Sequence, residues 1–320
     1  MLLELKDLAV HFPSRMGTIK AVDGVSFQLD EGQSLGIVGE SGSGKSMTAL
    51  AILRLIPRMG SVSGQIIFEG DNLLAKSNTE IRRLRGRKLA MILQDPMTSL
   101  NPSFSIGTQV GEALRIHRGL RGRSLVNAIV DILRRVRIPA AERRIYDYPH
   151  QMSGGMRQRI VGAIMFSMSP KLLIADEPTT SLDVTIQAQY LKLLSELQKE
   201  FGFAMIFISH DMGVVASLCE QISVMYAGRI VEHGATEDVL SSPAHPYTVA
   251  LLRSLPKLEA AQERLVSIPG QPPDSHAFPV GCRFAPRCPK AQDICHREYP
   301  ETATLLNGHQ VNCHFPVHDE

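Results

Sequence analysis

The chain lacks any apolar run long enough to cross a bilayer. The longest candidate, Ile160 to Met168, covers about half of the roughly 18 residues a spanning helix needs, and it holds Gly162 and Ser167. The start, MLLELKDLAV, carries Glu4, Lys6 and Asp7, which breaks the pattern of a secretory leader. There is no excess of one charge. Lys and Arg number 34 against 32 Asp and Glu, a formal net charge of +2, which argues against a dedicated nucleic-acid binder. Internal repeats and low-complexity tracts are absent as well. Cysteine is scarce, five in 320 residues, and four of the five fall between Cys282 and Cys313. What is present is ordinary globular material. With 44% hydrophobic and 21% charged residues, global disorder is excluded and a sizeable core is available. The expectation is a chain that folds in the cytosol and meets a membrane through another protein or at its surface.

The first half alternates strand-like and helix-like stretches. Short apolar runs at Ser34 to Gly39, Ala90 to Leu93, Leu172 to Ala175 and Ala204 to Ile208 read as buried parallel strands. Helical spacing appears over Ser46 to Leu55, Gly107 to Arg118, Leu125 to Val136 and Ile186 to Lys199. The pattern is that of an α/β fold with a mainly parallel sheet. Gln221 to Glu232 reads as a hairpin turning at Ala227-Gly228. After about Pro256 prolines and cysteines gather, which suggests a separate appendage built on loops.

Gly39-Glu-Ser-Gly-Ser-Gly-Lys45-Ser46 satisfies G-x-x-x-x-G-K-[ST] between a predicted strand and a predicted helix. Gly42 and Gly44 let the backbone curl so that its N–H groups meet phosphate oxygens. The helix N-terminus adds a positive dipole end. Lys45 offers a cation to the outer phosphates, and the Ser46 hydroxyl suits Mg²⁺. A second element agrees with the first. Lys171-Leu-Leu-Ile-Ala-Asp176-Glu177-Pro178 is an apolar strand ending in two acids. Asp176 there can hold Mg²⁺ through water, and Glu177 can polarise an attacking water.

Taken with these, Met152-Ser153-Gly154-Gly155-Met156-Arg157-Gln158-Arg159 resembles the signature motif of ATP-binding cassette (ABC) transporter subunits. Other elements follow in the family's order: Gln94 resembles the glutamine loop, Ser181-Leu182-Asp183 the D-loop and His210 the switch histidine. Phe12 stands where the family places an aromatic on adenine. The resemblance spans residues 1 to about 255. It implies an ABC-type P-loop fold with a mainly parallel core, an antiparallel β subdomain, a helical signature subdomain at about 95–165 and a cysteine-containing appendage over 256–320. ATP would contact Phe12, Gly39, Ser41, Gly42, Ser43, Gly44, Lys45, Ser46, Met47 and Gln94. Ser46, Gln94 and Asp176 would hold Mg²⁺. Glu177, His210 and Lys45 would carry the chemistry. Ser153, Gly154, Gly155 and Asp183 would reach the nucleotide of a second cassette across a head-to-tail dimer. Met152 for the usual leucine is a mild change, whereas Met156 for the usual glutamine loses polar contacts.

Gln94-Asp-Pro-Met-Thr-Ser-Leu-Asn-Pro102, the run Asp176 to Gln189, His245-Pro-Tyr-Thr248 and Gly281-Cys-Arg-Phe-Ala-Pro-Arg-Cys288 narrow the resemblance to dipeptide and oligopeptide importers. Nickel and glutathione importers belong to the same group. The implied partners are a second, homologous ATPase subunit, two transmembrane permeases and an external solute-binding protein, with the chain peripheral on the cytoplasmic face of the inner membrane. A non-transport cassette or a regulatory ATP-binding module is the rival reading. The first usually needs paired cassettes, coiled-coil insertions or basic arms, and the second sits poorly with a complete hydrolytic set.

Cys282, Cys288, Cys295 and Cys313 follow C-x5-C-x6-C-x17-C. In a cytosolic protein a disulfide framework is disfavoured. Four thiolates can close a zinc site or hold an iron–sulfur cluster, or the thiols can simply pack. C-x2-C pairs are missing, and some members of the resembled group carry a [4Fe–4S] cluster here, so the cluster is the expectation. Cys219 reads as a small buried apolar residue. The basic stretch Arg82 to Lys88 has two readings, a surface near anionic lipid headgroups and, the commoner case, a solvated face with ordinary ion pairs.

Overall fold

A computed structural model describes residues 1–93, 99–180, 182–254 and 267–317. The chain divides into two compact units. Unit 1 comprises Met1–Leu29, Ser34–Leu74 and Ile208–Glu320; unit 2 comprises Asp30–Gln33 and Ala75–Phe207. Gln94, assigned above to the glutamine loop, lies outside the described residues, as does Ser181.

Unit 1 opens with strands β1 (Leu3–Ser14) and β2 (Gly17–Leu29), joined by β4 (Ser61–Phe68) and β5 (Asp71–Asn72) in an antiparallel sheet of order β2-β1-β4-β5. Alternation buries Leu3, Leu5, Leu8 and Val10 of β1. The step from Leu5 to Leu8 is odd, and strict pleating would turn Leu8 outward. The register shifts between them on both partner strands, at Asp7 with φ 47°, which returns Leu8 to the core.

The second sheet of unit 1 is built on β3 (Ser34–Val38), buried at all five residues and parallel to β9 (Gln221–Tyr226). The expected hairpin is present: β9 turns at Ala227 and Gly228, both with positive φ, into β10 (Arg229–Ala235). The C-terminal residues then differ from a plain set of loops. β12 (Gln310–Val311) pairs with β10 through Glu232↔Val311, and β11 (Ala303–Thr304) pairs with β12. Buried Glu232 fixes the junction, receiving the backbone N–H groups of Ala244 and His245 at 2.7 and 2.9 Å and facing His309 Nε2 at 2.8 Å. Arg283 adds an ion pair to Asp23 and stacks on the Phe278 ring.

The helix Pro246–Arg253 begins on His245, whose Nδ1 accepts the Tyr247 N–H at 3.0 Å, with Pro246 in the first turn. The imidazole is 1% exposed, and burial lowers its pKa from 6.5 to about 4. It stays neutral in the fold while the unfolded chain protonates below about pH 6.5. Stability is therefore full above that pH and falls toward pH 4, by about 3 kcal/mol from this group. His245→Asn keeps a capping acceptor and removes the titration. Urea denaturation at pH 7 and 4.5 should show a smaller acid loss in the variant; equal losses would contradict it.

Unit 2 holds the parallel pair β6 (Leu89–Ile92) and β7 (Leu172–Asp176), and the chain leaves it along β8 (Ala204–Ser209). Its helices follow from caps and spacing. Ile106–Arg118 starts on Ser105, buries Ile106, Val110 and Leu114 on one face, and stops at Gly119 with φ 65°. Gly122–Arg135 packs beside it through Ile129, Val130 and Leu133. Val184–Phe201 starts on Asp183 and ends at Gly202 in the left-handed region. Arg82 and Arg83 of the basic stretch are exposed.

Candidate functional site: a phosphate loop and an acidic strand end

In unit 1 the buried strand β3 delivers the chain to Gly39 at φ 151°. A Cβ there would stand 2.1 Å from Met225 O on β9 and 2.9 Å from Ser43 Oγ. Gly44, at φ 104°, would meet Ala21 O on β2 at 2.4 Å. The loop thus threads between two backbones that no side chain could tolerate. Lys45 is 5% exposed, and its Nζ donates to Gly39 O at 2.8 Å and Glu40 O at 2.9 Å, with Ser43 Oγ at 3.5 Å. The ammonium is held at the centre of the curl. The helix Lys45–Ile52 that follows has no side-chain cap and no acid in its first turn, which suits an anion at its N-terminus. Ser41 and Gly42 are exposed at the crest, and Ser46 and Met47 are half-buried in the first turn. Phe12 is half-buried on β1 opposite Ile19. His210 is exposed just past β8, followed by Asp211, which caps the helix Met212–Leu218 through Gly213 N and Val214 N.

In unit 2, β7 is buried throughout and ends at Asp176, 7% exposed. Glu177 follows at φ 45°, a left-handed conformation that costs a non-glycine residue about 1–2 kcal/mol. Thr180 Oγ1 donates to its carboxylate at 3.1 Å and so orients it. The signature residues open the helix Gly154–Phe166. Ser153 is its N-cap and accepts the Met156 N–H at 3.4 Å. Space lies open where a Gly154 side chain would project, whereas a Cβ on Gly155 would press Ile186 Cγ2 at 2.8 Å. Asp183 accepts the Ile186 N–H at 2.9 Å, so the D-loop helix and the signature helix meet at Ile186. Within the same helix, Gln158 is wholly buried and donates to Pro178 O at 2.7 Å, tying the signature to the residue after the acidic pair.

Thus the phosphate loop, Phe12 and His210 stand in unit 1, and Asp176, Glu177, Ser153, Gly154, Gly155 and Asp183 stand in unit 2. Sequence reasoning missed Gln158, and it missed Glu40, Arg287 and Tyr247, described below. A buried glutamine three residues beyond Gly155 gives no local signal.

The cysteine expectation is corrected. Cys282, Cys288, Cys295 and Cys313 do line one pocket with His245, Phe284 and His314, but its volume is about 10 Å³. That is about the room of one water, far too little for a cluster. Burial raises the thiols of Cys282 and Cys288 and pushes Cys313 up to about 11. Among the described residues no group of three or more His, Cys, Asp or Glu is arranged to hold a metal ion. Cys282, Cys288, Cys295 and Cys313 therefore do not form a [4Fe–4S] site; the thiols pack. Cys219, remote and buried, packs as expected.

The ABC transporter family profile matches residues 22–180, and that of the oligopeptide/dipeptide transporter C-terminal region matches 231–295. The probable peptide ABC transporter ATP-binding protein y4tR of Sinorhizobium fredii is 48% identical over 98% of this chain and 94% of its own length. The chain belongs to the ABC transporter family. The cassette is also similar to the dipeptide transport ATP-binding proteins DppD of Haemophilus influenzae, at 48% identity over 100% of this chain and 97% of that protein, and of Escherichia coli, at 46% over 99% and 98%. Among solved structures, cbiO1 from Clostridium perfringens superposes with TM-score 0.63 at 28% identity, covering 75% of this chain and 90% of its own. The dimeric, post-hydrolysis cassette MJ0796 bound to ADP and Pi matches with TM-score 0.65 at 24% identity, over 73% and 99%, and supports the fold. The cassette is an ATPase of this family, with ATP and Mg²⁺ as its requirements. No described helix is long and apolar enough to cross a membrane.

Proposed function

We propose that the cassette is the ATP-hydrolysing subunit of an importer of dipeptides and oligopeptides. The observation that carries this reading is one chain joining the phosphate loop and signature to the oligopeptide/dipeptide transporter C-terminal region over 231–295. Relatives named for dipeptide and oligopeptide transport match it over nearly their whole length. The cassette proper is assigned to 1–255, with a helical part at about 95–165, and the appendage to 256–320.

Lys45 and the loop amides take the outer phosphates, Ser41, Ser43 and Met47 line the curl, and Phe12 lies on adenine. Ser46 Oγ and the Asp176 carboxylate are hard oxygen donors, which fit Mg²⁺, with Gln94 as a further ligand. When bound, that ion neutralises charge on the outer phosphates. Glu177 takes the proton of the water that attacks the γ-phosphorus, and the bond to the bridging oxygen breaks to release ADP. His210 steadies the γ-phosphate. Ser153, Gly154, Gly155 and Asp183 serve the nucleotide on a second, homologous ATPase subunit. Closure of that pair pulls on two permease subunits at the cytoplasmic face of the inner membrane, fed by an external binding protein.

The test is uptake in cells changed only by Glu177→Gln, with labelled dipeptide, longer peptide and Ni²⁺ followed in parallel. Loss of peptide uptake alone is the expected result. Loss of Ni²⁺ uptake alone would move the cassette to the metal-importing branch, and loss of neither would overturn the reading.

A further inference from the structure

Between Gly39 and Ser46 the one carboxylate is Glu40. An acid in a loop that receives a triphosphate repels its own ligand unless something neutralises it. Glu40 is gripped at three points. Its N–H donates to Tyr247 Oη at 2.9 Å. Its carbonyl accepts from Lys45 Nζ and, at 3.2 Å, from Ser43 N. Its carboxylate accepts both terminal nitrogens of Arg287, at 2.8 and 3.1 Å.

Arg287 belongs to the appendage, 247 residues further along the chain, and its side chain is 5% exposed. Every edge of the guanidinium is engaged. Nε donates to Pro269 O at 2.9 Å, Nη2 also to Ile268 O at 3.3 Å, and Nη1 also to Tyr226 Oη at 3.3 Å. Beneath it Tyr226, Tyr247 and Phe284 form a buried cluster with ring centroids 4.5–5.4 Å apart. A bidentate, locked arginine fixes geometry as well as charge.

We propose that Arg287 is a positioning residue for ATP: through it the C-terminal segment neutralises Glu40 and holds the phosphate loop in its nucleotide-binding curl. The proposal rests on the ATP-binding reading of the loop. It makes the appendage part of the nucleotide site's support and separates Arg287 from Arg283, which ties Asp23 on β2.

The test is equilibrium binding of a fluorescent trinitrophenyl-ATP, displaced by ATP, to the purified full-length chain. Arg287→Ala should weaken ATP by about tenfold, the scale of a lost charge-assisted pair. Adding Glu40→Gln to it should bring affinity back to within about threefold of the parent, because the repelling charge is gone. The defect of Arg287→Ala should also shrink as salt rises, which a purely structural staple would not produce. A folded Arg287→Ala chain within about twofold of parent affinity, or a double variant no tighter than the single, overturns the proposal. Should Arg287→Ala fail to fold, Arg287→Lys with and without Glu40→Gln makes the same comparison. Lys45→Ala is the control: if it leaves ATP affinity unchanged, the phosphate-loop reading fails and not this one.

Discussion

Glu177→Gln lowers ATP hydrolysis by about 10²-fold or more, while ATP still closes the cassette dimer. The substitution is nearly isosteric. The amide oxygen can still accept from Thr180 Oγ1, which holds the side chain at 3.1 Å, so geometry is kept and basicity is lost. Asp176, buried at the end of β7, is untouched, so under the proposed reading its metal role is kept. The left-handed backbone at Glu177 is strain in a position that aims the carboxylate, and glutamine tolerates it no worse. Phosphate release from the purified chain with its partner subunit, alongside ATP-dependent dimerisation on a sizing column, checks both halves. Unaltered hydrolysis would remove Glu177 from its assigned role. Loss of dimerisation would mean that the side chain supports binding.

Gly39→Ala abolishes ATP binding and destabilises the chain by about 3 kcal/mol or more, whereas Gly42→Ala costs about 1 kcal/mol. Both glycines have positive φ, 151° and 80°. At Gly42 nothing lies within 4 Å of the added carbon, so the cost is conformational alone. At Gly39 the carbon would stand 2.1 Å from Met225 O. That carbonyl belongs to β9, which is bonded to β3 through Ile37↔Ser223 and Val38↔Val224 and to β10 on its other side. Neither strand can yield without breaking a ladder. Urea denaturation and ATP titration of both variants decide the matter, and equal losses would contradict the backbone-clash argument.

The phosphate loop was readable because its chemistry lies in eight consecutive residues between a strand and a helix. The Ala227-Gly228 turn was readable for the same local reason. The antiparallel sheet of β1, β2, β4 and β5 came from resemblance alone, since β1 breaks its own period at Asp7. The C-terminal pairing was misread as loops because β11 and β12 are two residues each, too short for a pattern, and exist by using an edge of β10. The cysteines show the opposite failure. Their count and spacing suggested a ligand set, but a site needs room between the sulfurs, and spacing carries no volume. The grip of Arg287 on Glu40 has no sequence signature, being two ordinary charges that the fold brings together.

The same separation orders events at the ribosome. Asp23 and Glu40 find their arginines 260 and 247 residues later. At about 5–20 residues per second, the nascent phosphate loop waits roughly 10–50 s for Arg287 to be made. Unit 2, whose main segment is the continuous stretch Ala75–Phe207, can collapse in that interval. Unit 1 can form its antiparallel sheet early but cannot be completed, since β3 has no β9 beside it until Gln221 onward has emerged. A truncated product ending before residue 283 lacks both arginines: Asp23 keeps His11 and Arg229 beside it, and Glu40 in the phosphate loop has lost the guanidinium that faces its carboxylate. Such a chain is a substrate for chaperones and proteases before it can ever meet a nucleotide.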